Sequence, residues 1–290
     1  MKGRKILVAL DGSRYSESAT EYALDLFKED DTEQENLLVG VYVNSLHYGD
    51  MLRKVRDQGE PLYFSYYNDV FEFDEYAEEV EEKRATSVEK FEKRCKKAGV
   101  NYKVHDHKGS PLIELIEESR FADLIVLGFQ TYFANLDGDD ELTHELLKDV
   151  HCPLLVVPQE HRSIKNLIFT YDGKDSSFYA IKQFTYVMSL TASRKPVRVI
   201  SVSKSDSESI PEREERLMKE FLDQHCHKEV RIDQMQGDPE DVILDTLHLQ
   251  EDPLLVMGSY GRSGISMLFH PSTADKVLQY RKTPGFITHR

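Results

Sequence analysis

The chain has 290 residues, of which 40% are hydrophobic and 31% charged, and its formal net charge is −15. This composition is typical of a globular protein of about two domains, and the negative charge argues against a general nucleic-acid binder. We expect no membrane association, because no apolar run approaches the roughly 20 residues that a spanning helix needs.

The N-terminal apolar run and the cysteines point to a cytoplasmic protein. Residues 6–10 are the only apolar run before Asp11, and this is shorter than the core of about 7 residues that a signal peptide requires. The chain has three cysteines at scattered positions. An odd, scattered set argues against a disulfide framework.

The first half alternates strand and helix patterns. Its predicted elements are a strand in KILVALDGS, a helix from Ser13 to about Lys28, a strand in NLLVGVYVN, a charged helix from about Asp74 to Ala98, a strand in VNYKVHDHKG, a helix over 112–119, a strand in DLIVLG, a helix over 141–150 and a strand in CPLLVVP.

The second half repeats this order. Its predicted elements are a strand in NLIFTYDGK, a helix over 176–189, a strand in PVRVISVS, a helix in PEREERLMKEFLDQHCH, a strand in EVRIDQMQGDP, a helix over 240–249, a strand in PLLVMG, a helix over 272–280 and a final strand in PGFITHR.

Matching residues in the two halves indicate an internal duplication. Asp11-Gly12 corresponds to Asp172-Gly173, Gly109 to Gly237, and Gly128 to Gly258. Strands that alternate with helices and are continuously apolar predict a parallel sheet covered on both faces. We therefore predict two tandem α/β domains, residues 1–160 and 161–290. Each is a mostly parallel five-stranded sheet of flavodoxin-like or Rossmann-like type, with helices on both faces.

In such sheets a ligand binds beyond the carboxyl ends of the strands, where the strand order reverses. If the first and fourth strands of the second half are neighbours, Asp172 and Gly173 face Gly258 across a crevice. The stretch LLVMGSYGRSGISMLFHPSTADKVL, which begins at Leu254, then borders this crevice.

The chain resembles the universal stress protein family in its tandem, two-domain form. The resemblance rests on ILVALDGS, on GSP before the third helix, on G-x-x-G after the fourth strand and on CPLLVVP. It covers nearly the whole sequence. The nucleotide-binding branch of that family has Gly-x-x-Gly, nine residues, then Gly and Ser or Thr. Gly258, Gly261 and the nine residues 262–270 fit this pattern, but Pro271 stands where the family has glycine.

The resemblance implies an adenine nucleotide, ATP or AMP with or without Mg²⁺, in the second half. It implies that Asp172 contacts the adenine side, that the backbone near Val202 supports the ring, and that glycines and hydroxyls surround the ribose and phosphates. The predicted nucleotide-binding residues are Asp172, Gly173, Val202, Gly237, Gly258, Gly261, Arg262, Ser272 and Thr273.

The chemistry of these residues agrees with phosphate binding. Glycines let backbone N–H groups approach a phosphate closely, a helix that begins near Ser272 offers further donors, and Arg262 adds charge-assisted bonds. The alternative is that Gly258 and Gly261 only form a tight turn and Pro271 only begins a helix, where proline is common.

The first half departs further from the family pattern. Thr131 replaces the second glycine, and four carboxylates between 137 and 141 occupy the phosphate region, where like charge repels a nucleotide. Residues 1–160 hold 19 basic and 34 acidic residues, whereas 161–290 hold 18 of each. We therefore predict a degenerate first site at Asp11, Gly12, Val41, Gly109 and Gly128.

Two other patterns have plain explanations at this stage. His105 and His107 share one strand face, but no third ligand is evident from the sequence, so no metal site is predicted. The segment 60–76 is rich in aromatic residues. It is expected to add to the core of its own domain, with an interaction surface or pocket lid as the alternative.

For partners, the resemblance implies that the last strands of the two halves, CPLLVVP and PGFITH, pair as an intrachain pseudo-dimer, and we also expect a homodimer. No catalytic residues are predicted, although weak ATP hydrolysis stays open. The predicted function is regulatory, in a stress response. The alternative is a nucleotide-independent interaction or scaffold protein that uses the acidic, aromatic-rich first half.

Overall fold

The computed structural model describes residues 3–28, 36–44, 69–108, 110–129, 146–147, 149–203, 209–258 and 282–288. Within these ranges the first half contains strands β1 (Lys5–Leu10), β2 (Leu37–Asn44), β3 (Tyr102–Lys108), β4 (Leu124–Gly128) and β5 (Leu154–Val157). Its helices are α1 (Arg14–Lys28), α2 (Asp69–Ala98) and α3 (Pro111–Ser119).

The second half has the same plan. Its strands are β6 (Asn166–Thr170), β7 (Val197–Ser203), β8 (Val230–Gln236), β9 (Pro253–Gly258) and β10 (Gly285–Thr288). Its helices are α4 (Asp175–Val187), α5 (Ser189–Arg194), α6 (Glu212–His225) and α7 (Pro239–His248).

All ten strands form one sheet in the order β3-β2-β1-β4-β5-β10-β9-β6-β7-β8. Neighbours are parallel throughout, except that β5 and β10 pair antiparallel, with Val156 opposite Gly285. Each half therefore has the order 3-2-1-4-5, the Rossmann-like order, in which the first and fourth strands are neighbours. The predicted fold class and the pairing of the two final strands are confirmed, and the first and fourth strands are neighbours, as the predicted crevice requires.

The apolar strands are continuous because both faces of the sheet are covered. Along β1, Ile6, Val8 and Leu10 contribute to a core cluster on one face, and Leu7 and Ala9 to a cluster on the other. Helices α1, α2, α4 and α6 pack on the first face, and α3 and α7 on the second. Strand residues that alternate between two buried layers leave no polar position in the run.

The core on the first face continues from one half into the other, since one buried cluster contains residues of β1 and β4 together with residues of β6 and β9. Phe286 of β10 is fully buried and its ring lies 5.1 Å, edge to face, from that of Phe184 in α4. Phe184 in turn lies 5.4 Å from Phe169 of β6. Arg4, beside β1, donates a 2.5 Å hydrogen bond to the carbonyl oxygen of Val187 at the end of α4. The halves thus share packing as well as a sheet.

Three predicted helices differ from the structure or are only partly described. α2 begins at Asp69, five residues before the predicted start, so its first turns take in aromatic positions 71, 73 and 76. The helix predicted over 176–189 ends at Val187, and α5 follows after Met188, whose φ and ψ are −113° and 44°. Of the helix predicted over 141–150, residues 146, 147 and 149 are helical. The helix predicted over 272–280 and residues 60–68 lie outside the described residues.

Candidate functional site

The carboxyl ends of four neighbouring strands bring together the described residues of the predicted site. Gly258 ends β9, Asp172 follows β6 by two residues, Val202 lies near the end of β7, and Gly237 directly follows β8. The strands are hydrogen-bonded in the order β9-β6-β7-β8. Between β9 and β6 the strand order reverses, which is where doubly wound sheets bind ligands.

The turn after β6 is held by the carboxylate of Asp172. Its Oδ1 accepts hydrogen bonds from the Lys174 N–H at 3.1 Å and from the Ser177 hydroxyl at 2.6 Å. The side chain is 2% exposed, and Lys174 Nζ lies 3.8 Å from its Oδ2. Gly173, between them, has φ +76°, a conformation that glycine adopts without a steric penalty. In the described geometry Asp172 fixes the start of α4.

Gly258 is required by packing between a strand and a helix. A Cβ atom at this position would lie 2.6 Å from the backbone oxygen of Ser176 and 2.9 Å from its carbonyl carbon. The end of β9 therefore lies directly against the first turn of α4. This close approach accounts for the glycine whether or not a ligand binds beside it.

The ends of β7 and β8 are joined across the same edge of the sheet. The N–H of Gly237 donates to the carbonyl oxygen of Ser203 at 3.2 Å, and Asp238 caps α7 by accepting from the Glu240 N–H at 3.1 Å. The side chain of Val202 is buried. At this edge of the sheet β7 therefore presents its backbone and not the Val202 side chain.

The remaining predicted residues of this site are not described. Gly261, Arg262, Ser272 and Thr273 lie within 259–281, outside the described residues. The phosphate side of the predicted site therefore stays a prediction.

Two side chains beside the turn were not identified from the sequence. Ser177 is buried and its hydroxyl also accepts from the Asp172 N–H at 3.3 Å. Tyr171 donates its hydroxyl hydrogen to Glu214 of α6, and burial, together with this bond, raises the pKa of Tyr171. A serine five residues after the aspartate is a local signal that could have been found. The Tyr171–Glu214 contact joins two distant segments and has no local signal.

The first half repeats the turn in detail. Asp11 accepts from the Ser13 N–H at 2.9 Å, Gly12 has φ +78°, and a Cβ at Gly128 would lie 2.3 Å from the Cβ of Tyr15. Val41 is buried within β2. Gly109 lies outside the described residues.

The two turns differ in what covers them. A Cβ at Gly12 would meet the backbone oxygen of Lys83 at 3.8 Å and the Cβ of Ser87 at 3.9 Å, both on α2. A cavity of about 10 Å³, which is room for one water molecule at most, lies beside Gly12 between α1 and α2. At Gly173 no atom of the described residues lies within 4 Å of the corresponding position.

A larger cavity lies elsewhere. It has a volume of about 160 Å³ and is lined by residues of both halves, among them Tyr22, Arg162 and Pro284. Asp252 and Pro253, which also line it, stand at the start of β9. This cavity is therefore at the amino edge of the sheet, away from the predicted site.

Among the described residues, no helix combines the length and apolar composition needed to cross a lipid bilayer.

Comparison with known proteins identifies a family. The model of the Universal stress protein family matches residues 3–158 and again residues 164–288. The chain is similar to universal stress protein Slr1230 of Synechocystis sp., with 28% identity over 184 residues, which are 61% of this chain. That match spans 62% of the length of the Synechocystis protein.

Solved structures agree on the fold. A universal stress protein from Archaeoglobus fulgidus is 22% identical, covers 100% of this chain and 97% of its own, and superimposes with a TM-score of 0.66. A second structure, from Pseudomonas aeruginosa, is 15% identical, covers 99% of this chain and 93% of its own, and has a TM-score of 0.56.

Proposed function

Because the chain belongs to the universal stress protein family, in its tandem form, we propose that it binds one adenine nucleotide, ATP or AMP, in its second half. The two domains are residues 1–160 and 161–290. The protein acts as a regulatory factor in a stress response, and nucleotide occupancy is the signal that it carries. No catalytic residue is assigned.

The observation that carries this proposal is the difference between the two duplicated turns. Both have a glycine at positive φ after an aspartate, but α2 lies over the first turn, whereas the described residues leave the second open. The described residues therefore crowd the first turn more than the second, which supports the second half as the one that binds the ligand.

Charge favours the same half. Residues 1–160 carry 19 basic and 34 acidic residues, and residues 161–290 carry 18 of each. Charges at a surface interact over about 10 Å at ordinary salt concentrations, so a triphosphate responds mainly to the half that binds it. The neutral second half repels it less than the acidic first half does.

The proposed roles follow the strand ends. The base lies against the turn of Asp172 and Gly173 and beside the β7 backbone at Val202, and the sugar lies near Gly237 and Gly258. The phosphates are bound by the four residues that follow β9, namely Gly261, Arg262, Ser272 and Thr273. Mg²⁺, when present, is held mainly by phosphate oxygens, as is usual for this ion.

Isothermal titration calorimetry with ATP and with AMP tests the proposal. One nucleotide should bind per chain. Asp172→Asn keeps an oxygen acceptor for the Lys174 N–H and should weaken binding at least tenfold, because the charge that orients the base is lost. Asp11→Asn makes the same change in the matching turn of the first half and should leave the affinity unchanged.

Two results of this experiment would contradict binding at the second site. No heat with either nucleotide would overturn the proposal and favour the alternative, a nucleotide-independent interaction protein that uses the first half. Equal loss in both variants would indicate that the effect is on folding and not on the second site. A product assay with ATP separates binding from slow hydrolysis.

A further inference from the structure

A cluster of histidine and glutamate side chains lies between β3 and α3, at the edge of the sheet. His105 and His107 are two residues apart on β3, so they point to the same face. Glu114 and Glu118 are one turn apart on α3. His105 Nδ1 lies 2.5 Å and His107 Nε2 lies 3.2 Å from Oε1 of Glu118.

We infer that His105, His107 and Glu118 form a binding site for a divalent transition-metal cation of the Zn²⁺ class. Among the described residues, one ligand atom from each of the three lies within 4.8 Å of the other two. Zinc bonds of about 2.0–2.1 Å at tetrahedral angles separate ligand atoms by about 3.4 Å. The His107–Glu118 distance of 3.2 Å fits this value, and the His105–Glu118 distance of 2.5 Å must lengthen when an ion binds.

The surrounding groups orient these ligands as metal sites require. Nδ1 of His107 lies 3.1 Å from Oε2 of Glu114. A ligating histidine usually donates its other ring N–H to a carboxylate in this way, which fixes the tautomer. His107 therefore turns Nε2 towards Glu118. The Lys5 ammonium donates to Oε2 of Glu118 at 3.1 Å, which holds the carboxylate and leaves Oε1 facing the imidazoles.

The exposure and charge of the cluster allow a cation to reach it from solvent. Each histidine side chain is 31% exposed and that of Glu118 is 14% exposed, so an ion and one water molecule have access. The Glu118 carboxylate, which also accepts a hydrogen bond from Lys5, supplies the negative charge.

The choice of cation follows from the ligand types. Imidazole nitrogen favours Zn²⁺, Cu²⁺ or Ni²⁺, whereas Mg²⁺ and Ca²⁺ favour oxygen ligands alone. Three protein ligands with a fourth position open to water are typical of sites at which zinc stays exchangeable or reactive, and not of closed structural sites.

The duplicated half shows that the fold does not need this cluster. In the second half Asp233 holds the position that His105 holds in the first, since Asp233 pairs with Ile200 as His105 pairs with Val41. When Gly237 is aligned with Gly109, the residues that correspond to His107, Glu114 and Glu118 are Met235, Val242 and Thr246. Met235 packs against the core, and the hydroxyl of Thr246 donates to the Val242 carbonyl at 2.7 Å. The same strand and helix therefore pack without any of the three ligands.

Equilibrium binding of Zn²⁺ to the full chain, without nucleotide, tests the inference. We expect one Zn²⁺ per chain, no heat with Mg²⁺, and loss of this binding in His107→Ala and in Glu118→Gln. Glu114→Gln leaves all three ligands in place and should weaken binding about 10–100-fold through orientation alone. Circular dichroism checks that each variant is folded.

The chain offers a matched control in its other His-x-His pair. His225→Ala with His227→Ala removes two imidazoles from the end of α6, one more than His107→Ala removes, and should leave Zn²⁺ affinity unchanged. Co²⁺ bound in place of Zn²⁺ should show two imidazole ligands and no thiolate in its spectrum. Absence of Zn²⁺ binding by the intact chain, unchanged affinity in His107→Ala, or equal loss in the control would each overturn the inference.

Discussion

Replacing Gly258 by alanine separates a packing role of this glycine from a ligand role. The new Cβ would lie 2.6 Å from the backbone oxygen of Ser176, whereas ordinary contact begins at 3.4 Å, so the strand and the helix must separate by about 0.8 Å. Overpacking of this kind typically costs about 1–3 kcal/mol. The loss of chain flexibility in the unfolded state offsets about 0.4–1 kcal/mol. We therefore expect a net destabilisation of about 1–2 kcal/mol.

Urea unfolding followed by circular dichroism measures this effect. For a chain of this size the midpoint should fall by roughly 0.5 M. Gly40→Ala is the control, because its Cβ would meet the Cδ1 of Leu10 at 2.6 Å and the Cε1 of Phe91 at 2.9 Å. Leu10 and Phe91 are themselves buried, so this variant should also lose stability, but it lies in the first half and should keep its affinity for ATP. A Gly258→Ala chain that unfolds at the wild-type urea concentration but no longer binds ATP would refute the packing argument.

Three further predictions concern the core, pH and the thiols. Phe286→Ala should lower the free energy of unfolding by about 3–5 kcal/mol, since it empties a buried site beside Phe184; a calorimetric loss under 1 kcal/mol would contradict this. Burial raises the pKa of Asp25, but hydrogen bonds from His161 and Lys28 lower it overall. A depressed carboxyl stabilises above its unfolded pKa and loses this effect as pH falls through the folded value. Asp25→Asn should therefore be less stable than wild type at pH 7, with a difference that shrinks as pH falls below the ordinary carboxyl range in urea titrations, and a difference independent of pH would count against the pairing. Finally, burial raises the pKa of every thiol, so Ellman's reagent should react with none at pH 8 in the folded protein and with all three in urea, the pKa values being about 12 for Cys95, about 12 for Cys152 and about 11 for Cys226.

Much of the fold follows from periodicity along the chain. Continuous apolar runs between helices predict a sheet buried on both faces, and the repeated Asp-Gly and Gly positions predict the duplication. The order of the strands does not follow from the sequence, because it depends on which strands pair. The start of α2 was placed too late because the prediction began at the charged residues after 73. Phenylalanine and tyrosine cost only a few tenths of a kcal/mol in a helix, so the aromatic positions 71, 73 and 76 continue it.

The site was less accessible to sequence reasoning because it depends on contacts between distant segments. Asp172 is brought near Gly258 by the pairing of β6 with β9, and the Tyr171–Glu214 contact likewise joins distant segments. The cover of α2 over Gly12 joins segments about 70 residues apart. Likewise, the pattern His105-x-His107 gave two imidazoles, and only the packing of α3 on the sheet brings Glu118 to them.

The antiparallel pairing of β5 with β10 also affects how the sequences of the two halves can diverge from each other. In a pair of identical chains every substitution appears on both sides of the joint, and dilution separates the partners. Here one backbone carries both sides, so a change such as His105 in one half against Asp233 in the other is made once. The covalent link keeps the unlike halves at a fixed ratio of one to one at any concentration. A single gene product can thus specialise its two flanks for different small ligands without losing the shared framework.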